Sequence, residues 1–122
     1  MSLVLRIRCP TLVAAVLLAG AAQVHAAGFE NFNNFTNTTS AYSSGTFQGQ
    51  DGSTWAYNSC RGDQIISAPG TPTLARDRTP LASIVSGNLS NGCGNLSYDW
   101  MRPFASACNV DVLINGVVRT NH

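Results

Sequence analysis

Three groups of residues in this 122-residue chain have types and spacings that could do chemistry. Aromatic side chains alternate with smaller or polar ones in two places, as Trp55 and Tyr57 and as Tyr98 and Trp100. Flat aromatic faces stack on sugar rings, and nearby carboxylates or amides bind hydroxyls, the make-up of many small-ligand pockets. Trp55, Tyr57 and Trp100, with Asp51 and Asp63 as polar partners, form the candidate ligand site; Asp99 and Asn95 stand beside them. The competing reading is that residues alternating along a strand point inward as core. Arg61-Gly62-Asp63 is the second group, a cation and a carboxylate at the span of an integrin-type tripeptide. Its plainer reading is a turn at Gly62 with Asp63 paired to Arg61. Cys60, Cys93 and Cys108 are the third group. In an oxidising compartment two of them would form a disulfide, and all three pairings stay open. The spacings are long, there is no Cys-x-x-Cys, and the only histidine after residue 26 is His122, so a metal site is not expected.

Catalytic arrangements are poorly supplied. The chain has no lysine for a Schiff base, and beyond residue 26 it has no internal histidine for a Ser-His-Asp or Cys-His pair. No Gly-rich phosphate loop opens a helix. Asp51 with Asp63, or Asp99 with Asp111, are formal carboxylate pairs, but no cleft is indicated. The expectation is a protein that is not an enzyme and has no catalytic residues. Asn34, Asn37, Asn88 and Asn95 each open an Asn-x-Ser/Thr sequon, read more simply as Asn-rich loops and turns.

The N-terminus speaks to location. Arg6 and Arg8 precede an apolar run from Thr11 to Ala22, broken only by Gly20, and Val24-His25-Ala26 ends it with small residues. This is the pattern of a secretory signal peptide over 1–26. The run is shorter than the roughly 20 residues a membrane span needs. The expected product is a domain over 27–122, secreted or held in the periplasm or at the cell surface, with no membrane span after signal removal. Cys9 leaves with the signal and follows no lipoprotein pattern. The rest carries Arg61, Arg76, Arg78, Arg102 and Arg119 against Glu30, Asp51, Asp63, Asp77, Asp99 and Asp111. That near balance offers no basic surface for nucleic acid, and there is no amphipathic helix for a membrane.

The elements that must hold these residues read as short strands. Beyond residue 26 no i, i+3, i+4 apolar pattern is sustained. Residues 28–35, with Phe29, Phe32 and Phe35, are expected as the first strand, and 37–50 as a polar surface loop. Strands are expected at 54–57, 64–66 and 81–85, with turns at 69–72 and 91–94. Leu96, Tyr98 and Trp100 alternate after the second turn. Val110, Val112 and Ile114 alternate before Asn115-Gly116, the strongest short-range hairpin signal, because both central positions of a type I′ turn need φ > 0. The fold class is therefore all-β, an antiparallel β-sandwich of jelly-roll type. The chain stops shortly after the last turn, so a C-terminally truncated or incomplete sandwich is expected.

Several stretches together resemble a known module. They are Phe29-Glu30-Asn31-Phe32, residues 47–55, Cys60-Arg61-Gly62-Asp63-Gln64, Ser86-Gly87-Asn88-Leu89, residues 94–99, Phe104-Ala105 and residues 112–116. Their order is similar to that of a jelly-roll module of secreted bacterial proteins, related in style to galactose-binding-like and adhesin-type sandwiches, and covers most of 27–122. The resemblance implies a non-catalytic module for carbohydrate or cell-surface attachment, or else an accessory domain of a larger extracellular hydrolase of nuclease type. Where such sandwiches carry structural calcium, a Glu of the opening segment and an Asp of a closing strand hold it, and for this chain no cofactor is expected. Glu30 fits the first position and nothing fits the second.

Overall fold

The alternating residues around Trp55 and Tyr57 form the strand from which the sheet is built outward. The computed structural model describes residues 2–8, 29–64, 71–89 and 95–122. Seven strands run along the described residues: β1 (Ser2–Arg8), β2 (Ser43–Gln48), β3 (Thr54–Arg61), β4 (Thr73–Leu74), β5 (Ser83–Asn88), β6 (Asn109–Ile114) and β7 (Val117–Asn121). No helix occurs among the described residues, and the protein is all-β. The strands form one sheet in the order β2-β3-β5-β1-β6-β7, with β4 pairing the end of β3.

The sheet is mixed where a wholly antiparallel one was expected. β2, β3, β4 and β5 pair antiparallel, as do β6 and β7, but β1 lies parallel to both β5 and β6. β1 falls inside the segment read as a signal peptide. Leu3, Leu5 and Ile7 alternate there with Val4, Arg6 and Arg8, so the sequence also carries a strand's period. Its register with β6 runs unbroken from Ser2↔Asn109 to Ile7↔Ile114.

Three further expectations are revised. Residues 29–35 are turn and coil rather than a strand. The Glu30 carboxylate accepts the backbone N–H of Phe32 at 2.6 Å and of Gln50 at 2.9 Å, and Asn31 Oδ1 accepts the N–H of Asn33 at 3.0 Å. These side chains satisfy the backbone locally, in competition with a ladder, and Phe32 takes a φ of 61°. The chain turns and lays Phe32 and Phe35 on the core. Second, β2 lies inside the stretch expected to be a loop. Third, residues 95–102 carry no strand despite their alternation. The turn expected at 91–94, Ile65-Ile66 and Pro69-Gly70 lie outside the described residues.

The core sits on one face of β2, β3 and β5. Phe35, Phe47, Trp55, Tyr57, Cys60 and Ile84 are buried there, with Phe32 and Tyr42 packed against them. Phe35 meets Tyr57 at a ring distance of 4.7 Å and Phe32 meets Trp55 at 5.7 Å, both edge to face, the arrangement aromatic quadrupoles prefer. Strand β3 changes phase within itself. Ser59 has a φ of 53°, and between Gly45↔Tyr57 and Ser43↔Cys60 the β3 side carries one residue more than β2. This bulge lets Cys60, rather than Ser59, follow Trp55 and Tyr57 into the core.

The hairpin at Asn115-Gly116 forms as expected. Asn115 and Gly116 have φ of 52° and 78°, and Ile114 pairs with Val117 across the two-residue loop.

Candidate functional site

The structure disperses the residues that the sequence grouped as a ligand site. Trp55 and Tyr57 are buried, 7% and 8% exposed, so their faces are covered by Phe32, Phe35 and Phe47 rather than open to a sugar. Tyr57 is fixed further by a 3.0 Å hydrogen bond between its hydroxyl and that of Thr36. Gly45 leaves the room its ring needs, since a Cβ there would stand 2.8 Å from the Tyr57 hydroxyl oxygen. Both aromatic residues therefore belong to the core and leave the candidate site.

Asp51 occupies the turn between β2 and β3. Its Oδ1 accepts the Ser53 N–H at 2.9 Å and the Ser53 hydroxyl at 2.6 Å. The Ser53 hydroxyl holds the Asp51 carboxyl below its ordinary range. The carboxylate closes a tight turn, with Gly52 at φ 79°.

Asp63 is clasped by Arg61. Nε and Nη2 of the guanidinium each lie 2.5 Å from one carboxylate oxygen, a fork-to-fork pair. Gln64 Nε2 donates to Asp63 at 3.1 Å. The Arg61 hydrogen bonds, joined by the one from Gln64, lower the Asp63 pKa to about 2, and the Arg61 pKa is raised in return. The guanidinium also lies 5.3 Å from the Tyr42 ring centre and 5.7 Å from that of Phe104. Between the two charges, Gly62 packs so closely that a Cβ would stand 2.2 Å from the Asn37 carbonyl oxygen. The tripeptide is an internal clasp against the 37–41 loop, not an open presentation of both charges.

Asn37 explains why that loop is fixed. The residue is buried, its Nδ2 donates to the carbonyls of Ala41 at 2.7 Å and Cys60 at 2.8 Å, and its Oδ1 accepts from Thr39 N–H and hydroxyl. All the hydrogen-bonding capacity of the amide is spent on structure.

Glu30, the calcium candidate, spends its carboxylate oxygens on the two backbone amides already described. No group of three or more His, Cys, Asp or Glu that could hold a metal ion occurs among the described residues. Cys60 and Cys108 are free thiols, which removes a disulfide between them; Cys93 lies outside the described residues. Burial pushes the Cys60 thiol up to about 12, far from the low values of reactive cysteines.

Of the candidate residues Trp55, Tyr57 and Trp100, it is Trp100 that lines a cavity beside the sheet. This cavity, of about 710 Å³, is walled by Ile84 of β5 and Val112 of β6 and by Trp100, Met101 and Phe104. Trp100 is 40% exposed. Its ring rests on His122 at 5.1 Å, and the Tyr98 hydroxyl shares a 2.6 Å hydrogen bond with His122 Nε2. The last residue of the chain thus props both aromatic side chains of the 98–100 stretch.

Sequence reasoning missed the cationic part of this cavity. Arg76, Arg78 and Arg102 line it together with Asp99. The available signal was the absence of lysine: every fixed side-chain cation in the chain is a planar, five-donor guanidinium. An apolar, aromatic wall edged by such groups can hold a ligand with a flat, weakly hydrated face and polar substituents. No known protein family, curated protein or solved structure matches the chain.

Proposed function

We propose that this chain is a secreted, non-catalytic binding module, and that its ligand is a carbohydrate of a cell surface or matrix. The observation that carries the reading is the half-exposed Trp100 ring on the wall of a 710 Å³ cavity, a size within the range of small-ligand sites. Met101 and Phe104 are exposed on the same wall, 55% and 47%. His122, itself hydrogen-bonded to Tyr98, rests against the Trp100 ring, so stacking on its exposed part costs little additional ordering. In this reading residues 1–26, and β1 with them, are the removed signal, the antiparallel sets β2-β3-β4-β5 and β6-β7 are the two halves of a jelly-roll-like sandwich of the secreted bacterial type, and attachment is its whole role. The expected site moves from Trp55 and Tyr57 to Trp100 and its neighbours.

The test is a glycan array probed with the purified full chain and its Trp100→Ala variant. Selective binding by the parent, lost in the variant while the circular dichroism spectrum is unchanged, is the expected result. A folded parent that binds no glycan, or a variant that binds as the parent does, defeats the proposal.

A further inference from the structure

We infer that the saccharide is acidic, with a carboxylate read by Arg78 and Arg102. This rests on the cavity being the saccharide site and adds the class of sugar it takes. Three arginines and one carboxylate, Asp99, are among the lining residues. Each cation stands in a different state. Arg76 is already paired, its Nε 2.8 Å from an Asp77 carboxylate oxygen. Arg78 lies 5.6 Å from the Tyr42 ring centre, so the aromatic face orients the guanidinium without using its N–H donors. Arg102 has no ion-pair or ring partner among the described residues and is exposed.

Two guanidiniums therefore carry N–H donors for which no ion-pair partner stands among the described residues, at a cavity whose walls are mainly apolar and aromatic. Guanidinium matches carboxylate geometry with two parallel hydrogen bonds, and its weak hydration suits it to a partly dry site. A neutral sugar would leave these donors without charged acceptors. An acidic sugar offers both features the cavity has: a flat carbon face for Trp100 and an anionic edge for the arginines. Asp99 adds a repulsive element and an acceptor for sugar hydroxyls.

The experiment measures binding of the full chain to oligosaccharides of galacturonate, glucuronate and mannuronate, each beside its carboxyl-reduced neutral counterpart. The variants are Arg102→Gln, Arg78→Gln and, as a control for net charge, Arg119→Gln, whose residue lies on β7 and is not among the cavity's lining. At least one acidic oligomer should bind roughly tenfold or more tighter than its reduced partner, and the preference should weaken with salt. R78Q or R102Q should remove most of that preference, and R119Q should leave it. Equal binding of acidic and neutral partners overturns the inference while leaving a saccharide site standing. An R119Q loss as large as that of R102Q overturns it by showing that total charge is what counts. Binding of no oligomer, acidic or neutral, overturns both this inference and the reading beneath it.

Discussion

Two aromatic pairs with the same spacing end in opposite surroundings. Trp55 and Tyr57 lie on β3, between β2 and β5, and are buried. Tyr98 and Trp100 lie in a stretch without strand pairing, and Trp100 is 40% exposed beside the cavity. The difference lies in the partners. β3 has ladders on both sides, so its alternation becomes two faces and one is covered by Phe32, Phe35 and Phe47. Among the described residues the 98–100 stretch has only His122 as a ring partner. Alternation states which residues would share a face of a strand; hydrogen-bonded neighbours decide whether there is a strand at all.

The largest expected effect comes from truncating one tryptophan of each pair. Trp55→Ala should cost about 3–5 kcal/mol, the range for removing a buried aromatic side chain, enough to unfold much of a small domain. Trp100→Ala should cost about 1 kcal/mol or less. Urea unfolding of both variants checks this. Equal losses would mean that the 98–100 stretch is as much a part of the packed core as β3.

The next effect concerns the backbone contacts under the core. Gly62→Ala forces a Cβ toward the Asn37 carbonyl oxygen, where only 2.2 Å is available. Something must shift, at a cost of about 1–3 kcal/mol. Gly52→Ala meets nothing within 4 Å but must hold a φ of 79°, which costs about 1–2 kcal/mol. Thermal midpoints of the two variants separate crowding from backbone conformation. A Gly62→Ala protein as stable as its parent would show that the clasp around residues 61–63 can open without loss.

How much of this was legible in the sequence follows the same division. Asn115-Gly116 specifies its turn because the two residues tolerate positive φ, and no distant partner is needed. Trp55 and Tyr57 were legible as alternating residues, but the bulge at Ser59 that brings Cys60 inward was not, since it depends on how β2 pairs with β3. β2 was read as loop because Phe47 is its only large apolar residue, and the neighbouring strand makes it a strand. Phe29, Phe32 and Phe35 were read as a strand although three-residue spacing does not fit a period of two; the Glu30 and Asn31 side chains turn the chain there. Of the candidate site, Trp100 was visible and the arginines were not, because residues 76 and 78 come to line one cavity with 100 and 102 only in the folded chain.

Thiol chemistry sharpens the comparison at smaller scale. Cys60 sits in the aromatic core, and burial pushes its thiol up to about 12. Cys108 lines the cavity and is half-buried. Under native conditions at pH 8, iodoacetamide should modify Cys108 well before Cys60, because reaction needs both thiolate and access. Peptide mass spectrometry gives the order. Early labelling of Cys60 would show that the core opens as readily as the cavity wall.

The smallest effect tests the clasp that joins the two regions, since Arg61 lies against both Tyr42 beside the core and Phe104 on the cavity wall. The Asp63 carboxyl titrates at about 2 in the folded protein against an ordinary 3.8. A lowered folded pKa means that the ionised form favours folding. That contribution is complete above the ordinary value and is lost as pH falls from about 4 toward 2. Both partners are partly exposed, 18% and 26% for their side chains, so water and salt weaken the pair and the effect stays small. Asp63→Asn removes the charge and should flatten this part of the profile, leaving the part that comes from the Ser53-bonded Asp51 carboxylate. Thermal midpoints of parent and variant, measured at several pH values between 5 and 2, should therefore converge at the acid end. A constant separation across that window would mean that Asp63 acts through the shape of its hydrogen bonds rather than through its charge.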